Sequence, residues 1–233
     1  MKKIEEIRVV GSSDDSPIAN IGGNLGVSFL KYMGNYSMAN DVNVLGIQFN
    51  FKELISDSAD ISFNNNSTYN LYYMHIGISK RYFESLNSYE KIKFTCKCIY
   101  KGLLHWAMRF NLPVEPIHVA NQKIIKDEYF SEKAKKYTSK NRRYICSIEI
   151  RYEYDSTSYR LKFVDNKLKQ IERYFICNKK YFKDDELMKN DYMKWLNTPR
   201  TLKVTGWVNN EFVMMWGDET YIFKIGGKEI IKQ

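Results

Sequence analysis

The sequence predicts an α+β protein made of antiparallel β-meanders, with a long amphipathic helix packed on the N-terminal strands and a shorter helix between C-terminal hairpins. Three patterns lead to this prediction. Apolar residues recur every three or four positions over residues 89–110, which is the period of a helix. From residue 144 onward, apolar and polar residues alternate, which is the period of a strand. Polar turns such as Asn209-Asn210 separate the short apolar runs of residues 202–231.

The N-terminal part contains three predicted strands. Residues 4–10, 42–51 and 69–78 carry apolar or alternating runs bounded by turn-forming residues. Residues 56–68, rich in Ser, Asp and Asn, are predicted to form an exposed loop. The apolar run at residues 27–33 is too short for its period to distinguish a helix from a strand, so both remain open.

The long helix is the clearest element of the sequence. Asn87, followed three residues later by Glu90, matches the pattern of a capping box at its start, and residues 111–113 end it. One stripe of the helix is apolar, and its members are Ile92, Cys96, Ile99, Leu103, Trp106 and Phe110. Because lysines and Arg109 occupy many of the remaining positions, we expect this stripe to be buried against a sheet.

A second and more charged helix is predicted at residues 123–137. It leads into residues 138–143, a polar and basic segment that is expected to be an exposed connector. The sequence therefore divides into an N-terminal α+β part (1–120), a basic helix and connector (121–143) and an antiparallel β-rich part (144–233). These parts form either one large domain or two small ones.

The strands that begin at residue 144 have two distinct faces. Four aromatic residues share the phase of the aliphatic ones and are predicted to face the core: Tyr152, Tyr154, Tyr159 and Phe163. Charged residues fall in the opposite phase and are predicted to form a charge-paired face in water: Glu149, Arg151, Glu153, Arg160 and Lys162. This phase argues against an aromatic platform for nucleic-acid bases. The shorter helix is predicted to begin at Asp184 and to end at Thr198.

The composition is that of an ordinary folded protein, since 44% of the 233 residues are hydrophobic and 27% are charged. No apolar run approaches the roughly 18 residues of a membrane-spanning helix. Glu5 and Glu6 stand where a signal peptide would be apolar, so we expect a cytoplasmic protein with no membrane partner. The formal net charge is +9, and residues 91–200 hold 25 Lys and Arg against 13 Asp and Glu.

Few residues are available for metal or acid–base chemistry. Cys96 and Cys98 lie about 200° apart around a predicted helix, so they cannot bind one ion together. His75, His105 and His118 could serve a small metal-independent nuclease if the fold brought them together. The motifs of phosphate loops, nucleophile elbows and zinc proteases are absent from the sequence. We therefore expect no metal, no cofactor and no catalytic residue, so the chain is not expected to be an enzyme.

A basic segment near the middle of the chain is the strongest candidate for a binding surface. Six Lys and Arg, and no acid, follow Glu132 up to residue 143. Four of them are predicted to carry the main electrostatic contact with a partner: Lys135, Lys136, Arg142 and Arg143. Four acidic residues in predicted N-terminal loops form the alternative contact surface: Asp14, Asp15, Asp57 and Asp60.

In general character the chain resembles bacterial immunity proteins, which neutralise a cognate toxin. The resemblance rests on the many aromatic and Lys residues, the lack of a catalytic constellation and the expected intracellular location, and not on a specific motif. It implies a non-enzymatic binding protein whose charge-complementary face occludes the active site of a toxin domain. A nucleic-acid-associated protein that uses the basic segment is the alternative, and a small metal-independent nuclease is a further one.

Overall fold

The computed structural model describes residues 2–11, 16–38, 43–52, 60–64, 71–180, 202–208, 211–216, 219–224 and 230–232. The chain forms two compact units. The first consists of Met1–Ser131 and Ile150–Ser158, and the second of Glu132–Glu149 and Tyr159–Gln233. Helices occur together with antiparallel sheets, so the predicted α+β class is confirmed.

A four-stranded sheet is the centre of the first unit. Its strands are β2 (Glu6–Val10), β4 (Val44–Lys52), β5 (Asp60–Asn64) and β6 (Leu71–Ser79), in the order β2-β4-β6-β5. Two short strands, β1 (Lys2–Lys3) and β3 (Ser37–Met38), pair with each other. Strand β4 runs parallel to β2 and β6, whereas β5 is antiparallel to β6. Strand β5 lies within residues 56–68, which are predicted to form a loop. The prediction is wrong at β5, because backbone pairing with β6 outweighs the polar composition of the segment.

The parallel pairs in this sheet differ from the antiparallel pairing that the sequence analysis predicts. Helix α1 (Ser16–Met33) lies between β2 and β4 in the chain and so allows these two strands to run in the same direction. The open choice at residues 27–33 is therefore decided in favour of a helix. Glycine is needed where α1 meets β2, because a Cβ atom at Gly26 would lie 2.8 Å from the carbonyl oxygen of Ile7.

Helix α3 (Ser88–Arg109) confirms the longest predicted element. The amide of Glu90 donates to Asn87 Oδ1 at 2.9 Å, and the amide of Asn87 donates to a carboxylate oxygen of Glu90 at 3.0 Å, which completes the predicted capping box. Five members of the predicted apolar stripe are buried, with at most 2% exposure at Ile92, Cys96, Ile99, Leu103 and Trp106, whereas the sixth, Phe110, is half-buried. Gly102 brings α3 close to β6, since a Cβ atom there would lie 2.8 Å from the side chain of Met74.

The helix predicted at residues 123–137 is wrong from residue 127 onward, whereas the connector predicted at residues 138–143 corresponds to a turn at residues 139–143. Helix α4 (Glu115–Lys126) follows the short helix α2 (Lys80–Ser85) and α3 in the chain, and it ends well before residue 137. Glu128 and Tyr129 then adopt positive φ angles of 54° and 64°, which end the helical path. The next element is strand β7 (Ser131–Thr138).

The second unit contains two four-stranded meanders. One has the order β10-β9-β8-β7 and is completed by β8 (Tyr144–Tyr152), β9 (Ser156–Asp165) and β10 (Gln170–Lys180). The end of β8, the turn that follows it and the start of β9, together residues 150–158, belong to the first unit. The other has the order β11-β12-β13-β14, with β11 (Leu202–Val208), β12 (Glu211–Trp216), β13 (Glu219–Lys224) and β14 (Ile230–Lys232). Both confirm the predicted hairpins, whereas the predicted shorter helix, from Asp184 to Thr198, lies outside the described residues.

Aromatic side chains hold the two meanders of the second unit together. The ring of Phe163 on β9 lies 5.7 Å from that of Phe212, 5.9 Å from that of Trp207 and 6.1 Å from that of Phe223, measured between centroids. Because the last three residues belong to the other meander, the two sheets pack face to face. Phe163 and Tyr159 are buried, as predicted for the core face. Tyr152 and Tyr154, predicted on the same face, are half-buried.

Candidate partner-binding site

The basic segment, residues 133–143, forms most of β7 and the turn that leads to β8. Lys135 and Lys136 are exposed on β7, where successive side chains point to opposite faces, so these two cannot act together on one flat surface. The ammonium of Lys135 lies 5.1 Å from the ring centroid of Tyr137, and that of Lys136 lies 3.8 Å from a carboxylate oxygen of Glu132. Residues 139–143 form the turn of the hairpin, and they include the predicted Arg142 and Arg143.

A second turn, residues 166–169 between β9 and β10, is bound to the first, and Asp165, the last residue of β9, directly precedes it. The amide of Asn166 donates to the carbonyl of Arg143 at 2.8 Å, and its side-chain amide donates to the carbonyl of Arg142 at 3.1 Å. In a meander every second turn lies at the same end of the sheet. Residues 24 positions apart in sequence are therefore neighbours in the structure.

An ion pair between Arg143 and Asp165 also connects the two turns. Arg143 Nε and Nη2 donate to Asp165 Oδ2 at 3.1 and 2.9 Å. The other carboxylate oxygen, Oδ1, accepts from the amides of Lys167 and Leu168 at 2.8 and 3.1 Å. The hydrogen bond from Arg143, supported by the two amides, outweighs burial and lowers the pKa of Asp165. Asp165 is therefore ionised at neutral pH, and Arg143 neutralises its charge.

The two turns carry an excess of positive charge. Their basic residues, which we call the cationic end, are Lys140, Arg142, Arg143, Lys167 and Lys169. Asp165 is the only acid within residues 139–143 and 165–169, so five basic residues face one acid and four positive charges are unbalanced. All members of the cationic end except the half-buried Arg143 are exposed. This concentration of charge attracts anions and acidic surfaces.

Aromatic rings lie directly behind the cationic end. The guanidinium of Arg143 lies 4.8 Å from the ring centroid of Tyr144. Tyr144 in turn stacks on Trp207, with 6.0 Å between the centroids and 26° between the planes. Trp207 Nε1 donates to the carbonyl oxygen of Tyr137 at 2.9 Å. The stack holds the guanidinium of Arg143 against a packed core.

Three members of the charged face that is predicted to lie in water are buried, namely Glu149, Glu153 and Arg160, and the other two, Arg151 and Lys162, are half-buried. Glu149 is 3% exposed and Arg160 is 6% exposed, and the two form a close ion pair. A nitrogen of Lys162 and one of Arg173 lie 3.9 and 3.4 Å from the carboxylate oxygens of Glu149. The predicted pairing of charges is present, but the predicted exposure is wrong, because ion pairs replace water as partners of these groups.

Glu153, at the tip of the β8–β9 hairpin in the first unit, is a second buried carboxylate that we expect in water. It is 6% exposed and accepts hydrogen bonds from Ser158 at 2.6 Å, Arg151 at 2.8 Å and Ser156 at 3.0 Å. Burial alone would raise the pKa of Glu153, but the hydrogen bonds from Ser158, Arg151 and Ser156 outweigh it and lower that pKa. These contacts explain how a carboxylate can be buried here.

The alternative acidic surface falls almost entirely outside the described part of the chain. Asp14, Asp15 and Asp57 lie outside the described residues. Asp60 begins β5, where its backbone pairs with that of Gly77, and its side chain lies outside the description. The acidic surface therefore stays a prediction.

His75 and His118 contact different side chains. His75 Nδ1 lies 3.3 Å from Asn50 Nδ2, and His118 Nδ1 lies 2.6 Å from the hydroxyl of Tyr100. His105 is exposed on α3. These hydrogen bonds therefore join His75 and His118 each to a residue other than histidine.

The described cysteines are buried free thiols: Cys96, Cys98 and Cys146. Burial raises the pKa of Cys96 and that of Cys98 to about 12, and it also raises the pKa of Cys146. The side chain of Cys177 lies outside the described residues. Within the part of the chain that the structure describes, no group of three or more His, Cys, Asp or Glu side chains could hold a metal ion.

Lys167 and Lys169 belong to the cationic end but are not among the binding residues predicted from the sequence. The order of the strands in the predicted meander could have indicated them, because the β7–β8 turn and the β9–β10 turn lie at the same end of the sheet.

Comparisons with protein-family models, with curated proteins and with solved structures found no match. None of the described helices has the length and apolar character needed to cross a membrane.

Proposed function

We propose that the protein is a non-enzymatic binding protein whose cationic end docks onto an acidic surface of a protein partner, and that this partner is a bacterial toxin domain. The observation that carries the proposal is the excess of four positive charges in two turns that hydrogen bonds hold together. Such a surface increases the rate of encounter with an acidic partner. Neutralisation then follows from occlusion of the toxin's active site, which requires no catalytic residue in this chain.

The compact form of the cationic end supports a protein partner. Its basic residues are confined to two adjoining turns, and Leu168, between Lys167 and Lys169, is 54% exposed. Protein interfaces combine an apolar centre with a polar and charged rim. The backbone of a nucleic acid is better matched by an extended row of cations.

The neighbouring gene provides the first test of the immunity role. We expect a gene directly upstream to encode a large secreted protein that ends in a toxin module. Production of this module inside cells should stop their growth, and production of the present protein should restore it. The immunity role is wrong if no such module is encoded there, or if the protein does not restore growth.

Two double variants with the same change of charge test the surface itself. Lys140→Glu with Lys167→Glu alters one residue in each turn, whereas Lys135→Glu with Lys136→Glu alters β7. The association rate with the toxin domain should fall about tenfold or more for the turn variant and less for the strand variant. The association rate of the turn variant should also depend less on salt. Equal losses would contradict the assignment to the turns. Tight binding of a DNA duplex through the turns would favour the alternative, a nucleic-acid-associated protein.

A further inference from the structure

The exposed side of α3 carries a row of basic residues. Side chains four positions apart on a helix lie above one another. Five successive positions of this kind are basic and exposed, and we call them the α3 row: Lys93, Lys97, Lys101, His105 and Arg109. At a rise of 1.5 Å per residue, the row extends over about 24 Å. It lies within the first unit and does not include any residue of the cationic end.

Acidic groups of the described residues leave the middle of the α3 row unneutralised. Neither Lys97 nor Lys101 forms an ion pair within the part of the chain that the structure describes. The ammonium of Lys93 lies 4.7 Å from the ring centroid of Tyr89, which carries no charge to offset it. Glu90 is the only acid in α3, and its carboxylate belongs to the capping box. Lys93, Lys97 and Lys101 therefore present a line of positive charge to the solvent.

This arrangement works against the stability of the helix. Like charges at positions i and i+4 repel each other and destabilise helices. Lys97 stands in this relation to both Lys93 and Lys101. Within the described residues the folded chain offers no compensating ion pair for Lys97 or Lys101, so a binding partner with matching negative charges is the reason that we infer for the row.

We propose that the α3 row binds the phosphate backbone of a nucleic acid. Lys and Arg side chains that neutralise phosphates supply the part of nucleic-acid binding that does not depend on sequence. A protein partner fits less well, because Lys is depleted in the cores of protein interfaces. The large apolar side chains exposed on α3, Tyr89 and Met108, lie near its two ends, so the middle of the row presents charge alone.

The test uses the full chain and a labelled DNA duplex of about 20 base pairs, whose charge density is the basis of the expected salt effect. Lys97→Gln with Lys101→Gln removes two central charges of the row. Lys80→Gln with Lys126→Gln removes two exposed charges of the same unit that lie outside the row. The slope of log affinity against log salt should become less steep by about 2 for the row variant, and it should stay unchanged for the control.

Three results would overturn the proposal. The first is a slope that is the same in the row variant and the unmodified protein. The second is displacement of the duplex by poly-L-glutamate at equal charge concentration, which would show that the row prefers acidic protein chains. The third is a reduced slope in Lys140→Glu with Lys167→Glu but not in the row variant, which would assign duplex binding to the cationic end. None of these results bears on growth rescue by the protein, so the immunity role is tested separately.

Discussion

Arg143 donates two hydrogen bonds to one carboxylate oxygen of Asp165, at 3.1 and 2.9 Å, and so fixes the turn before β8 to the turn after β9. The second oxygen of the same carboxylate accepts from the amides of Lys167 and Leu168. Each of these bonds favours the ionised carboxylate, and together they lower the pKa of Asp165 in the folded protein. The connection between the turns therefore depends on the ionisation of this one side chain.

We expect the connection to weaken as the pH falls through the folded-state pKa of Asp165. A carboxyl group whose pKa is lowered on folding stabilises the folded protein above its unfolded pKa, which is about 3.9 for Asp, and this contribution is lost at lower pH. In a ¹³C NMR titration, Asp165 should titrate below the ordinary range for Asp. Arg143→Gln should return the titration toward that range. Lys140→Gln removes a charge but no hydrogen bond to Asp165, so equal shifts in the two variants would contradict this explanation.

The buried stripe of α3 predicts a large loss of stability for Trp106→Ala. Trp106 is 1% exposed, and its ring centroid lies 5.8 Å from that of Phe110 and 6.3 Å from that of Tyr36. The cavity left by alanine should lower the free energy of unfolding by about 3–5 kcal/mol in urea titrations. Met108→Ala, two residues along the same helix, should change it by no more than about 0.5 kcal/mol because Met108 is 64% exposed. A loss below about 1 kcal/mol for Trp106→Ala would mean that the ring is not packed as described.

Elements whose signals are local could be predicted from the sequence. The capping box of Asn87 and Glu90 involves residues three positions apart, and the stripe of α3 repeats within one helix. Strand β7 could not be predicted in this way. The ring of Tyr137 lies 5.6 Å from that of Phe212, a residue of the other meander, and no local pattern contains that contact. Packing between distant segments thus decided the conformation of residues 131–138.

The candidate site was predictable only in part for a similar reason. The density of basic residues pointed to Arg142 and Arg143, which lie close together in the sequence. Lys167 and Lys169 join them through the bonds of Asn166, which depend on the order of the strands in the sheet. The alternation of charged and apolar residues correctly predicted that Glu149 forms an ion pair. Alternation alone does not show whether the charged face of a strand is exposed to solvent or buried by other parts of the protein.

The buried ion pairs of Glu149 predict that this carboxylate is required for stability. In Glu149→Gln, the buried Arg160 loses the ion pair with Glu149, and Lys162 loses one of its two carboxylate contacts. Removal of one member of a buried pair typically costs about 3–5 kcal/mol, so the free energy of unfolding should fall by about that amount. Glu84→Gln breaks the exposed pair with Lys80 and should cost no more than about 1 kcal/mol. Similar losses in the two variants would show that burial of Glu149 does not matter.

The charge repulsion within the α3 row predicts that removal of the charge of Lys97 stabilises the protein. Lys97→Gln removes the like-charge pairs with Lys93 and Lys101, each of which costs about 0.2–0.5 kcal/mol. Gln and Lys have similar helix propensities, and Lys97 is exposed, so no packing is lost. The free energy of unfolding should therefore rise by about 0.4–1 kcal/mol at low salt. Lys97→Arg keeps the charge and should show no gain.

Salt provides the decisive control for this gain. At about 1 M salt the screening length is about 3 Å, shorter than the separation of side chains four positions apart on a helix, so the gain in Lys97→Gln should disappear. A gain that persists at high salt would come from something other than charge repulsion. If there is no gain at low salt either, the α3 row costs the fold nothing. The inference that a polyanion compensates for its repulsion would then lose its physical basis, and the measured salt slopes alone would decide whether the row binds nucleic acid.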